Sequence, residues 1–173
     1  RRATAVMLLA TVLPFVAAAQ PAAQATFEPR VGQAGKDVIW VPTPNGLIDR
    51  MLRMVDAGPN DKLVDLGSGD GRIAIAAVRD FKVASATGIE YNPAMVTLSN
   101  RNAAEQGVAQ RAKFVEGDIF ATDFSDATVV TMYLLPSLNL RLRPTILNMK
   151  PGTRVVSHAF TMEDWRPDDR AEV

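Results

Sequence analysis

Asp65, Gly67, Gly69 and Gly71 stand at alternate positions of the stretch Leu63–Arg72, which reads LVDLGSGDGR. Glycine takes positive φ without strain and lacks a Cβ, so a ligand can rest against bare main chain at such a turn. A helix that opens at Arg72 adds unpaired N–H groups pointing at the same place. Ser68 lies inside the turn. Further on, Glu90 ends a second apolar run. In a doubly wound sheet, ligands bind at the carboxyl ends of the strands, and an acid after the second strand bonds ribose hydroxyls. Strand, glycine turn, helix start and distant acid together describe a nucleotide-binding elbow. The spacing is G-x-G-x-G, which disfavours the G-x-G-x-x-G of nicotinamide dehydrogenases.

The surrounding elements are those needed to hold such an elbow. Leu63, Val64 and Leu66 form a short buried strand, and Ile73, Ile75, Ala76, Ala77 and Val78 make the next helix strongly apolar. Val83 to Ile89 reads as a second strand ending in Glu90, followed by Tyr91. Asn92 and Pro93 cap a helix that runs to Gly107. Ala112 to Val115 is a third strand, leading into Gly117, Asp118, Ile119 and Phe120. Thr128 to Leu134 is a fourth strand, and Ser137 to Met149 a helix that Pro144 should break or kink. Pro151 and Gly152 turn the chain into a fifth strand, Thr153 to Phe160. Upstream, Thr43 is expected to cap a helix with Pro44 in its first position; Leu47, Ile48, Met51, Leu52 and Val55 form its apolar stripe, and Gly58-Pro59 end it. Alternating strands and helices imply right-handed crossovers and an α/β fold with a mostly parallel, doubly wound sheet and flanking helices.

The 173 residues carry 19 Lys and Arg against 19 Asp and Glu, and 47% are hydrophobic, which suits one domain with one core. Zero net charge and the lack of a basic stripe argue against a nucleic-acid partner. With no Cys, disulfides, zinc-thiolate sites and thiol nucleophiles are excluded for this stretch. Arg1 and Arg2 precede an apolar run, Ala5 to Val16, and small residues follow at Ala17–Ala19 and Ala23–Ala25. The run is shorter than the roughly 20 residues that span a bilayer. Residues 1–25 are therefore expected to be a signal peptide, and the protein periplasmic or secreted. Without that signal it would be cytoplasmic. Residues 26–40 are expected to be a linker, and residues 41–173 the folded domain.

The motif formed by Asp65, Gly67, Gly69 and Gly71 resembles motif I of the class I, seven-strand S-adenosylmethionine-dependent methyltransferases. The resemblance extends from Val41 to Phe160 and implies a Rossmann-like fold. It implies that S-adenosyl-L-methionine is held by Asp65, Gly67, Ser68, Gly69 and Gly71 on the turn, by Glu90 at its ribose, and by the adjoining Tyr91 and Asn92. It further implies that Asp118 accepts the adenine amino hydrogens while Ile119 or Phe120 covers the ring. The segments LVDLGSGDGRI, GIEYNP, YLLP and PGTRVVSHAF look like the protein-lysine methyltransferases of the mitochondrial ATP synthase c subunit and the adenine nucleotide translocase, and their bacterial relatives. The implied acceptor is then a protein lysine, membrane-associated proteins included. Export sets a condition, since the donor is made in the cytoplasm. The chain departs from the family in two ways. Only five of its seven strands are legible, and Thr161 to Val173 is too short for two more, which leaves either a truncated chain or an open sheet edge. Tyr133-Leu134-Leu135-Pro136 replaces the Asn/Asp-Pro-Pro-Tyr segment of enzymes that methylate base amines and glutamine.

Methyl transfer from a sulfonium is an in-line displacement that depends on positioning and desolvation, and it needs no metal. A lysine acceptor must shed a proton from a group of pKa about 10.4, which an apolar pocket favours. Tyr133, at the end of the fourth strand, is the candidate to line that pocket. His158, the one histidine, reads either as a general base or as a half-buried strand residue, and strand alternation favours the second. Asp123 and Asp126 read as turn and capping residues. Two alternatives stay open: a small-molecule methyltransferase, and a donor-binding module without catalysis.

Overall fold

The computed structural model describes residues 27–172. The order of elements is α1 (Asn45–Met54), β1 (Lys62–Leu66), α2 (Arg72–Arg79), β2 (Ser85–Glu90), α3 (Pro93–Glu105), β3 (Ala112–Glu116), β4 (Val129–Met132), α4 (Pro136–Leu147) and β5 (Arg154–Ser157). All five strands are parallel, in the order β3-β2-β1-β4-β5. The chain winds outward from β1 through β2 to β3, then returns to place β4 on the other side of β1. That reversal opens a crevice above the carboxyl ends of β1 and β4, where such sheets bind ligands. The expected α/β architecture is the one observed, and β5 is an unpaired edge among the described residues.

Apolar side chains pack on both faces of the sheet, as strands buried on two sides require. On one face Ile48, Leu52, Ile75, Val78 and Phe114 belong to a core built with α1, α2 and α3. On the other, Leu66, Ile89, Met132, Leu142 and Ile146 pack under α4. Leu52, Leu66 and Met132 are completely buried, and each such side chain contributes on the order of 1.5–3 kcal/mol.

Three local expectations need correction. Pro144 neither breaks nor visibly ends α4, which continues to Leu147. The N–H it lacks would have bonded the carbonyl of Leu140, and both residues are on the exposed side, where that oxygen is open to solvent. Thr43 does not cap α1; Pro44 holds the cap position, no side chain bonds there, and Thr43 is buried with its hydroxyl turned elsewhere. His158 lies just past the end of β5, although its N–H still donates to Met132 O at 2.9 Å. Asn92 caps α3 as expected, accepting from Ala94 N at 2.9 Å. The signal peptide read in residues 1–25 lies outside the described residues.

Candidate functional site

The glycine turn begins where β1 ends. Gly67 N and Ser68 N both donate to Ile89 O, which binds the turn to the end of β2. Gly69 has φ +56° and Gly71 has φ +84°, conformations that L side chains rarely adopt. The two serve different purposes. A Cβ on Gly69 would lie 2.6 Å from the Trp40 indole nitrogen, whereas one on Gly71 would lie 2.6 Å from Phe114 Cζ and 2.8 Å from Ser99 Cβ. Gly69 therefore faces the crevice, and Gly71 lets α2 start tight against α3 and β3.

Glu90 completes the turn. Its Oε2 accepts from Gly69 N at 2.9 Å and its Oε1 from Asn92 N at 2.9 Å. Each oxygen keeps a second lone pair for an outside donor. Asp65 is fully buried beneath the turn and accepts from Thr131 Oγ1 at 2.7 Å. Burial pushes its carboxyl up to about 7 against the help of the Thr131 hydroxyl, and the carboxylates of Glu90 and Asp70 raise it further. Asp70 is clamped by Arg72 at 2.6 Å, and the same guanidinium donates to Thr43 O at 3.1 Å.

At the far end, Asp118 Oδ1 accepts from Phe120 N and Oδ2 pairs with Lys36 Nζ at 2.7 Å. The Lys36 hydrogen bond, then the Phe120 N–H, hold this carboxyl below the usual carboxylate range. Ile119 borders the crevice. Phe120 instead packs toward the α4 side of the sheet, with the Arg141 guanidinium 3.7 Å over its ring. Of the two candidates to cover a base, the structure brings only Ile119 to the cleft. Asp65, Gly67, Ser68, Gly69, Glu90, Tyr91, Asn92 and Asp118 all border it, as does Tyr133. Gly71 and Phe120 do not. Asp123, bonded to Ser125 N, and Asp126, paired with Lys150, are turn and surface groups.

The cleft encloses about 720 Å³. Its roof comes from the segment expected to be a linker. Residues 27–40 include a bridge between Ala34 and Ile39, and Gln33 to Trp40 line the cleft. Lys36 also sits 4.5 Å over the ring of Tyr91. Neither Trp40 nor Lys36 carries a motif; their place follows from how the N-terminal segment folds back. Thr131, Leu134 and Phe160 carry no local signal either, because only strand register sets them beside the turn.

The family model described as the ANTKMT methyltransferase domain matches residues 65–169. The chain belongs to this family. A protein-lysine N-methyltransferase from Saccharolobus islandicus is 44% identical over 137 residues, covering 79% of this chain and 85% of that protein. The human lysine N-methyltransferase of the ATP synthase c subunit is 34% identical over 130 residues, 75% of this chain. The match spans about half of the human protein, 54% of its length. Among solved structures, a Salinibacter ruber protein described as an RNA methyltransferase, in complex with S-adenosyl-L-homocysteine, is 49% identical with a TM-score of 0.75, covering 77% of this chain and 87% of that one.

This methyltransferase depends on S-adenosylmethionine, and its own residues fit that donor. The hydroxyl of Ser68 is buried beside the cleft with no hydrogen-bond partner. Gly69 presents bare main chain to the cleft beneath the Trp40 indole. Five acids line the cleft (Asp37, Asp65, Asp70, Glu90 and Asp118) against two bases, Lys36 and Arg72, which suits a ligand with cationic ammonium and sulfonium centres. Asp65, Asp70 and Glu90 cluster at the glycine turn, and Asp118 lies at the far end of the same cleft.

Proposed function

We propose that this methyltransferase transfers a methyl group from S-adenosylmethionine to the side-chain amine of a protein lysine. The observation that carries the reading is the wall of the cleft beyond the glycine turn. There Tyr133, Leu134, Leu135, Leu138 and Phe160 present an apolar, aromatic surface, and Leu134 Cδ2 lies 3.0 Å from where a Gly67 Cβ would stand. An ammonium group arriving there leaves water, so its neutral form is favoured and its lone pair is freed. The acidic lining attracts the incoming cation beforehand. When bound, the donor supplies a methyl carbon activated by its sulfonium. The amine lone pair forms the new C–N bond as the C–S bond breaks, and the ammonium proton passes to solvent. What the chain contributes is orientation and exclusion of water. The names of the archaeal and human relatives support a lysine acceptor.

RNA is the second reading, favoured by the description of the Salinibacter ruber protein. Five acids against two bases along the cleft oppose it, since phosphates need the reverse balance. Labelled-methyl transfer onto membrane-protein and RNA fractions, with site mapping by mass spectrometry, separates the two. Label on lysine supports the proposal; label on RNA alone ends it. Tyr133→Ala should lower turnover at least tenfold while S-adenosylhomocysteine still binds.

The sequence of residues 1–25 supports a further part of the proposal, that the protein meets its acceptor at or beyond a membrane. Among the described residues no helix is long and apolar enough to cross a bilayer. Fractionation of cells making the full chain tests this, and recovery wholly in the cytosol would refute it.

A further inference from the structure

Beside the cleft, the Tyr133 ring is packed by His158 and Phe160. The His158 ring centroid lies 3.8 Å from that of Tyr133, with the planes tilted by 33°. The Phe160 ring is 6.1 Å away, at 18°. One backbone turn brings both rings to the tyrosine. Ala159 has φ +65°, and Phe160 N donates to His158 O at 2.8 Å, which closes a three-residue γ-turn. A non-glycine residue in that region is strained, and such strain persists only where the surroundings enforce it. Here they do. Ser157 Oγ donates to Phe160 O at 2.6 Å, and the completely buried Asn139 donates to the same oxygen at 3.2 Å.

His158 is fixed at its other side by Thr43, whose hydroxyl is 3.2 Å from Nδ1. Thr43 is only 3% exposed, and its carbonyl is held by Arg72, the partner of Asp70 on the glycine turn. Burial lowers the His158 pKa, which favours the neutral ring that such stacking suits. His158 does not border the cleft, whereas Tyr133 does.

We propose that His158, anchored by the Thr43 hydroxyl, is a positioning residue that sets the ring plane of Tyr133 and thereby the angle at which the acceptor nitrogen meets the methyl group. The inference rests on the lysine-acceptor reading for its kinetic consequences. It makes no demand on donor affinity. Misplacement of a reacting group by about 1 Å can cost on the order of a hundredfold in rate, so a tilted Tyr133 should register in turnover.

The test compares Thr43→Val, Thr43→Ser and His158→Phe in the full chain. Thr43→Val and His158→Phe should each lower kcat about tenfold, with S-adenosylhomocysteine affinity within twofold of wild type. Thr43→Ser, which keeps the hydroxyl, should restore most of the rate. The double variant should be no slower than either single one, because both remove the same restraint. Wild-type kcat in Thr43→Val, an equal loss in Thr43→Ser, or additive losses would overturn the proposal.

A second readout does not require turnover. With one histidine and two tyrosines in the chain, NMR can follow the His158 ring nitrogens and the Tyr133 ring directly. Thr43→Val should shift both sets of signals, and unmoved Tyr133 signals would refute the linkage. If wild type binds the donor but labels no lysine, the acceptor reading fails while this NMR result still decides the ring contact.

Discussion

Lys36 Nζ stands 2.7 Å from Asp118 Oδ2, so the carboxylate at the far end of the cleft already holds a cation. Both groups are about one-third exposed, and exposed pairs are weak and screened by salt. A ligand that donates to Asp118 would compete with Lys36 for that oxygen.

Lys36→Met should therefore tighten S-adenosylhomocysteine binding by a few fold at low salt. That ligand carries no sulfonium charge, which keeps the comparison simple. Raising salt should strengthen binding to wild type slightly and leave the variant unchanged. Calorimetry across a salt series checks this, and weaker binding by the variant would show that Lys36 holds the ligand instead.

Asp65 links stability to pH. An ordinary carboxyl titrates near 3.8, and this one at about 7. Between those values the folded chain keeps a proton that the unfolded chain has lost, so stability falls as pH rises through the window and is level above it. Asp65→Asn keeps an acceptor for Thr131 and removes the titration. The variant should gain on wild type between pH 5 and pH 8, by about 2.5 kcal/mol at most, since only about two of the pH units separating 3.8 from 7 lie in that range. Denaturant unfolding at the two pH values measures the gap.

The same carboxyl should couple donor binding to proton release. A cation seated above the turn favours ionised Asp65, so affinity for S-adenosylmethionine should rise as pH passes through about 7. Titration calorimetry at pH 6.5 in two buffers of different ionisation enthalpy should show a proton leaving on binding. Asp65→Asn should bind more weakly, with neither effect.

Gly69 and Gly71 should fail differently. Gly71→Ala forces a methyl group into Phe114 and Ser99 at a left-handed φ and should cost at least about 1–3 kcal/mol of stability. Gly69→Ala meets the movable Trp40 side chain instead. It should lose donor affinity first and thermal stability less. Melting curves beside ligand titrations separate the two losses.

The scaffold is legible in the sequence because it depends on local rules. Apolar runs closed by Gly67, Gly107 and Gly152 mark strand and helix ends, and Asn92 caps α3 through atoms two residues away. Thr43 shows where local rules stop. Its type and position suit a helix cap, yet its hydroxyl is drawn to His158, 115 residues along the chain. Trp40 and Lys36 are hidden for a similar reason. A segment rich in Ala, Gln, Gly and Pro has no periodicity of its own, and its place over the cleft comes from its own backbone hydrogen bonds together with contacts to Gly69, Tyr91 and Asp118. Phe120 and Ile119 are neighbours in the turn after β3, and the path of that turn around Asp118 decides which one meets the cleft.

The winding order of the sheet also bears on how the protein matures. Leu63 of the central strand pairs with Ala86 on one side and with Val129 on the other, so the crevice is bounded by early and late parts of the chain. A nascent polypeptide that has reached only β3 possesses the glycine turn and Glu90 but lacks the opposite bank. Ligand capture should then arrive in the last phase of refolding, after most helical signal has returned, and added donor should speed unfolding's reversal little while slowing unfolding itself.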